Sequence, residues 1–352
     1  MMDLHTVRHT YEATGPFATV YLEGRAPGED AAQQVWLRWN DLREQLAEAG
    51  AEQATLDHIA RALDPQEAGA AHPAGEVQTD GRVLVANDSG LVLDERWDAA
   101  LGAGDSAQWS GAPDLGPLLR EQAQSVRLLV AMTDKHGATV QRVVAAPAHD
   151  LDADAADEVE GTGHGSGHQP RRGALSHKQI QRHAQEVVQQ NQRDIADHLV
   201  RVADRWHPER IVLGGPVEAR TALRHELPDS WQDRYVELEA GGLDDERAQE
   251  VLADQLRDLA EEISQERARS ATEHFEMAQA HGQAVAGSTQ VMRAAQLRAV
   301  HTLFLEYGRQ APDEAEVLAA AAQGDSALAV IDAAVTDGIG ASLRFDLPDE
   351  AT

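Results

Sequence analysis

The sequence predicts an α/β protein of three consecutive α/β domains, at residues 1–122, 123–265 and 266–352. Three observations predict it. Short β-branched and apolar runs alternate with amphipathic helical stretches along the whole chain. A Pro/Gly-rich segment, "SGAPDLGPLL", closes the first group, and a long charged helical stretch from Leu243 to about Gln279 closes the second. The 352 residues are enough for two or three separate cores.

In the first section "FATVYLEG" reads as a strand. "AAQQVWLRWNDLREQLAEAG" reads as an amphipathic helix ended by Gly50, and "AEQATLDHIARAL" as a second helix stopped before Pro65. "GRVLVAND" and "LVLDERW" follow as two strands around the turn "NDSG".

The second section opens on a hairpin. "SVRLLVAMTD" is the first arm, "KHG" the turn and "ATVQRVVAA" the return. An acidic run, "DLDADAADEVE", then leads into the glycine-rich stretch "EGTGHGSGHQPRRG". A long helix starts at Ser176, where Ser176 and Gln179 match a capping box. Ile180, Ala184, Val187, Val188, Ile195, Leu199 and Val202 give this helix one apolar stripe. "RIVLGGP" reads as a buried strand and tight turn, "VEARTALRHEL" as a helix and "RYVELEAG" as a strand.

The third section alternates again. "QAVAGS" is a short strand, "STQVMRAAQLRA" a helix, "VHTLFLEYG" a strand and "DEAEVLAAAAQG" a helix; "SALAVID" and "ASLRFD" are closing strands.

Composition narrows the function classes. Apolar residues at 42% indicate a folded chain. Without cysteine there is no disulfide framework, thiolate metal site or thiol nucleophile, and the expected location is the cytoplasm. No apolar run is long enough for a membrane helix, so no membrane partner is expected. A formal charge of −30 argues against indiscriminate coating of nucleic acid, and no DNA partner is expected. The basic residues are nearly all arginines, Lys135 and Lys178 being the lysines. Two stretches, residues 161–185 and 277–305, contain no Asp or Glu.

The glycine-rich stretch admits four readings: a plain linker, a phosphate loop, a metal site, or a tip that reaches into a partner. It lacks the G-x-x-x-x-G-K-[ST] pattern, and acidic residues rather than a strand are read before it. His164 and His168, with His149 or Asp150, would be a sparse metal set, and Asp150, Asp152 and Asp154 lack the glycine and glutamate of a calcium loop. No metal and no cofactor is expected. For the reaching tip, the segment turns abruptly from acidic to basic and feeds a helix N-terminus, which favours anions. Arg171 and Arg172 add planar donors suited to phosphate.

The order of hairpin, glycine-rich loop with glutamine, basic segment, long helix and a strand ending "VLGGP" resembles the central domain of the archaeo-eukaryotic release factor and Pelota superfamily. "AVAGSTQVMRAAQLRAVHTLFLEYG" resembles that superfamily's last domain, which shares the fold of kink-turn-binding ribosomal proteins. The N-terminal section, with "TGPFATVYLEG", is more similar to the bacterial branch, which includes Balon-like ribosome hibernation factors and their actinobacterial relatives.

The resemblance implies a loop at the ribosomal peptidyl-transferase centre. Gly167 matches the first glycine of the family's Gly-Gly-Gln and Gln169 its glutamine; His168 stands at the second glycine, and Pro170 follows. These departures count against ester hydrolysis. The family's Asn-Ile-Lys-Ser decoding string is missing from the sequence, which counts against stop-codon reading. The resemblance therefore implies a ribosome-binding hibernation or stress factor that fills the A site, with peptidyl-tRNA hydrolysis in rescue of stalled ribosomes as the alternative. Gly161, Gly163, Gly165 and Gly167 would give reach, and Gln169, behind His168, would pack near the P-site tRNA end. Arg171, Arg172, Lys178 and Arg182 would contact rRNA or tRNA phosphate. The elongation factor that delivers aminoacyl-tRNA is the expected protein partner.

Overall fold

The computed structural model describes residues 1–22, 31–64, 81–96, 104–134, 136–145, 152–153, 157–160, 177–238 and 246–347. It is a mixed α/β fold with three sheets.

The first section contains β1 (Met2–Asp3), α1 (Arg8–Glu12), β2 (Phe17–Leu22), α2 (Ala31–Glu48), α3 (Gln53–Leu63), β3 (Arg82–Asn87), β4 (Gly90–Arg96), β5 (Ser106–Ser110) and α4 (Gly116–Gln124). Strands β2 to β5 form an antiparallel sheet in the order β4-β3-β2-β5. Every residue of β2 and β3 is buried, so these strands carry continuous apolar runs rather than alternation. One face holds Val20, Leu84 and Ala86 against Trp39, Leu46, Leu56 and Ile59 of α2 and α3. The other face presents Phe17, Tyr21, Val83 and Val85 to a second core. The expected Pro/Gly connector ends in α4, because Gly116 and Pro117 sit in the first turn, where a missing N–H costs nothing.

The second section contains β6 (Val126–Thr133), β7 (Gly137–Ala145), β8 (Asp152–Ala153), β9 (Asp157–Glu160), α5 (His177–Trp206), β10 (Arg210–Gly214), α6 (Val217–Glu226), α7 (Asp229–Gln232) and β11 (Tyr235–Glu237). Its sheet runs β11-β10-β6-β7-β8, with β9 also paired to β7. Strands β6, β10 and β11 are parallel, and β6–β7 is the expected hairpin. The alternation along β6 feeds two cores. Leu129 and Ala131 meet Ile195, Leu199 and Ala203 of α5, while Leu128, Val130 and Met132 share the other core with Leu252, Leu256 and Ala260. Each fully buried leucine contributes about 1.5–3 kcal/mol.

Those last three residues lie on α8 (Glu246–Ala280), the long charged helix. The third section follows with β12 (Ala284–Ala286), α9 (Ser288–Gln296), β13 (Val300–Glu306), α10 (Glu314–Gln323), β14 (Ala327–Ile331) and β15 (Ile339–Leu343). Its sheet runs β1-β14-β13-β15-β12, so the first residues of the chain supply an edge strand, Met2 opposite Leu328 and Asp3 opposite Ala327. The closing strand starts two residues earlier than expected and leaves Arg344, Phe345 and Asp346 outside it.

The chain divides into two compact units, residues 1–124 with 265–352, and residues 125–264. Within the first, Leu4, Val7 and Tyr11 share one core with Leu118, Leu119, Val291, Leu303 and Leu318. No described helix is long and apolar enough to cross a membrane.

Candidate functional site

The segment from Gly161 to Ser176 lies outside the described residues, and with it Gly163, Gly165, Gly167, His168, Gln169, Arg171 and Arg172. Lys178 and Arg182 fall on the first turns of α5; their side chains are likewise outside the description. What the structure describes is the frame that carries this segment: the end of β9 before it and the start of α5 after it.

The residues before the segment are a strand as well as acidic, which differs from the sequence expectation. Asp157 to Glu160 pair with Val140 to Gly137, so β9 ends opposite the first residue of β7. The strand forms because main-chain pairing is indifferent to side-chain charge. Glu158 is exposed, while Val159 packs partly buried against the α5 core.

The β6–β7 turn lies at the same end of the sheet. Asp134 Oδ1 accepts the backbone N–H groups of His136 at 2.6 Å and Gly137 at 2.9 Å, an Asx turn, and the Asp134 N–H donates to the Gly137 carbonyl at 3.0 Å. Helix α5 is fastened to this turn by Gln192, whose side chain is fully buried. Its Nε2 donates to the Asp134 carbonyl at 2.8 Å, and its Oε1 lies 3.4 Å from the Thr133 hydroxyl. Behind Thr133 stands Gly215, with φ +107°; a Cβ there would sit 2.1 Å from the Thr133 carbonyl oxygen. The "GGP" of the sequence is thus the turn after β10, packed backbone to backbone on the end of β6. It lies at the carboxyl ends of parallel strands, the end where open α/β sheets gather their functional groups.

Glu160 therefore stands opposite Gly137 in the β7–β9 register, and from Gly137 hydrogen bonds run through Asp134 to Gln192 of α5, so one turn adjoins both elements that flank the glycine-rich segment. Sequence reasoning missed Thr133, Asp134 and Gln192. Gln192 lies in a run of glutamines that looks solvated, but it falls three residues before Ile195, on the apolar side of the stripe.

A second polar cluster, also unforeseen, is buried in the first unit. Arg120 reaches Glu314 through both terminal nitrogens, at 2.5 and 2.7 Å, and donates further to the carbonyls of Glu306 and Arg309. The Tyr21 hydroxyl donates to the Asp114 carbonyl at 2.7 Å, and Gln310 Nε2 lies 3.4 Å from both carboxylate oxygens of Asp114. Burial, with the Asp114 charge second, pushes the Tyr11 and Tyr21 phenols up. Burial, with Glu314 beside it, pushes the Asp114 carboxyl up.

The acid-free stretch 277–305 includes α9, which lines a cleft of about 390 Å³ with Ser288, Thr289, Met292, Arg293 and Gln296. Asp313 and Val317 form its other wall. Among the described residues no group of three His, Cys, Asp or Glu side chains is placed to hold a metal; His149, Asp150, Asp154, His164 and His168 lie outside them.

Residues 127–281, which hold this frame, match the family model described as Bacterial archaeo-eukaryotic release factor family 2. Over this segment the chain is similar to the bacterial branch of the archaeo-eukaryotic release factors. The matched segment includes both roots, the turn and Gln192. Uncharacterized proteins from two strains of Mycobacterium tuberculosis are 27% identical to the chain over 235 residues, covering 67% of this chain and 59% of theirs. The chain thus spans less than two thirds of these curated relatives. Among solved structures, Saccharomyces cerevisiae Dom34, a translation termination-like factor, aligns over 74% of this chain and 76% of its own, at 12% identity and a TM-score of 0.42. A ribosome-bound archaeal Pelota aligns over 98% and 95%, at 13% identity and 0.41.

Proposed function

We propose that the protein is a ribosome-associated translation factor that occupies the A site as a hibernation or stress factor and does not release the peptide. The observation that carries this reading is the release-factor match over residues 127–281. In this reading Gly167-His168-Gln169 stands for the family's Gly-Gly-Gln. A β-carbon at 168 and a proline at 170 restrict the backbone where close approach and a free N–H are needed. Reach without hydrolysis is what this sequence supports.

In this reading the segment 161–173 extends toward the P-site tRNA end, with Gln169 packed there. Arg171, Arg172, Lys178 and Arg182 lie along tRNA or rRNA phosphate, where planar and flexible cations both serve. The acid-free stretch 277–305 is a second rRNA contact. The acidic remainder opposes diffuse coating and favours one docked geometry. The elongation factor that delivers aminoacyl-tRNA is the protein partner, and the cytoplasm is the compartment.

The second reading, peptidyl-tRNA hydrolysis in rescue of stalled ribosomes, is favoured by the retained glutamine, Gln169. One assay separates the two. Purified ribosomes carrying labelled peptidyl-tRNA in the P site are expected to bind the protein and keep their peptide. Peptide release that disappears in Gln169→Ala overturns the non-enzymatic reading, and failure to co-sediment at low salt overturns both.

A further inference from the structure

We propose that Gln192 is a positioning residue, which locks the end of β9 and the first turns of α5 to one anchor, the Asp134–Gly137 turn. The proposal rests on the reading that the segment between these two roots is the element that contacts the ribosome.

Fifteen residues of α5, from His177 to Asn191, precede the anchor, a length of about 22 Å at the helical rise of 1.5 Å per residue. A tilt of about 10° at Gln192 therefore moves the start of the helix by about 4 Å. Contact with a rigid partner does not survive displacements of that size without loss of affinity. Something must hold the angle. Arg193 and Gln189 also reach across, both to Glu226 at the end of α6, at 3.1 and 3.0 Å. Arg193 is about half exposed, and an exposed pair of that kind holds weakly. Gln192 is fully buried, so its amide is held where both of its partners stand, because a buried amide left unpaired is costly.

The same turn fixes the other root. Asp134 Oδ1 orders the Gly137 N–H, and Gly137 is the residue opposite Glu160. Gly215, pressed on the Thr133 carbonyl, closes the turn from behind, so the anchor has no room to shift. Gln192 thus acts through the turn on both roots and touches no partner itself.

The test uses the full chain carrying Gln192→Met, which keeps length and burial and removes both hydrogen bonds. Gln192→Glu is the second variant; it keeps the acceptor near Thr133 and sets a carboxylate against the Asp134 carbonyl. Amide exchange of the free protein is expected to quicken about tenfold at Gly137, at Asp157–Glu160 and at residues 177–191, and to stay unchanged from Ile195 to Ala203. Affinity for purified ribosomes is expected to fall about tenfold while its salt slope stays that of the native protein, since no phosphate contact is lost. Unchanged exchange at β9 or at residues 177–191 overturns the proposal. So does acceleration that extends through Ile195–Ala203, or global unfolding of both variants, either of which makes Gln192 ordinary core support. If the native protein fails to bind ribosomes, the functional reading falls, and the exchange pattern still decides the anchor.

Discussion

Arg120 and Glu314, 194 positions apart, meet as a buried bidentate ion pair that joins α4 to α10 within the first unit. Glu314 spends a remaining lone pair on the Ala311 N–H at 2.8 Å, and Gly116 leaves the space it occupies: a Cβ at 116 would lie 2.0 Å from Glu314 Oε1. Removing one partner strands the other. Glu314→Gln is expected to destabilise the first unit by about 3–5 kcal/mol, measured by denaturant unfolding. Gly116→Ala should also lower stability, by displacing the carboxylate.

Asp114 gives the same junction a pH dependence. Its carboxyl is raised by burial and by Glu314, against the opposing effects of the Gly116 N–H, Gln310 and Arg120. A carboxyl raised in the folded state binds its proton more tightly there than in the unfolded chain. Its contribution to stability therefore falls as pH climbs from the unfolded value, about 3.9, through the raised folded value, and is level above it. Asp114→Asn removes that loss. Its melting temperature relative to the native protein should rise across this window and stay higher at neutral pH, as thermal melts over a pH series will show; a constant difference is the contrary result.

Gly215 supports the β6–β7 turn through direct backbone contact. Gly215→Ala forces a Cβ into the Thr133 carbonyl from a positive φ. A loss of about 1–3 kcal/mol in the stability of the second unit is expected by chemical denaturation. Gly50, also at positive φ but with open space around it, should tolerate the same change at a cost of about 1 kcal/mol.

Arg171 and Arg172 are proposed to meet phosphate directly. Changing both to alanine should weaken ribosome association and lower the slope of log affinity against log salt by about one to two. Sedimentation at several ionic strengths measures both quantities. Unchanged binding removes the segment from the interface.

Much of the architecture was legible because it is written locally. The apolar periodicity of α2, α3 and α5, the "KHG" turn and the buried run "RIVLG" each declare themselves within a dozen residues. What escaped depends on partners far away. Strand β1 has two residues and exists because β14 offers an edge; β9 exists because β7 does, and its acids conceal it. Arg120 and Glu314 carry no local pattern that marks a partner 194 positions off. The glycines, Gln169 and the arginines are read from the sequence alone and lie outside the described residues, whereas the Gln192 anchor needed the register between α5 and β6.

The pairing of Met2 and Asp3 with Leu328 and Ala327 also sets an order of events during synthesis. Met2 and Asp3 wait long for their places, because their partner strand follows more than 320 positions later. Residues 125–264 have their own sheet and two cores in hand well before that. The unit bearing the glycine-rich segment can thus mature on the nascent chain while the residues on either side of it are still waiting for one another.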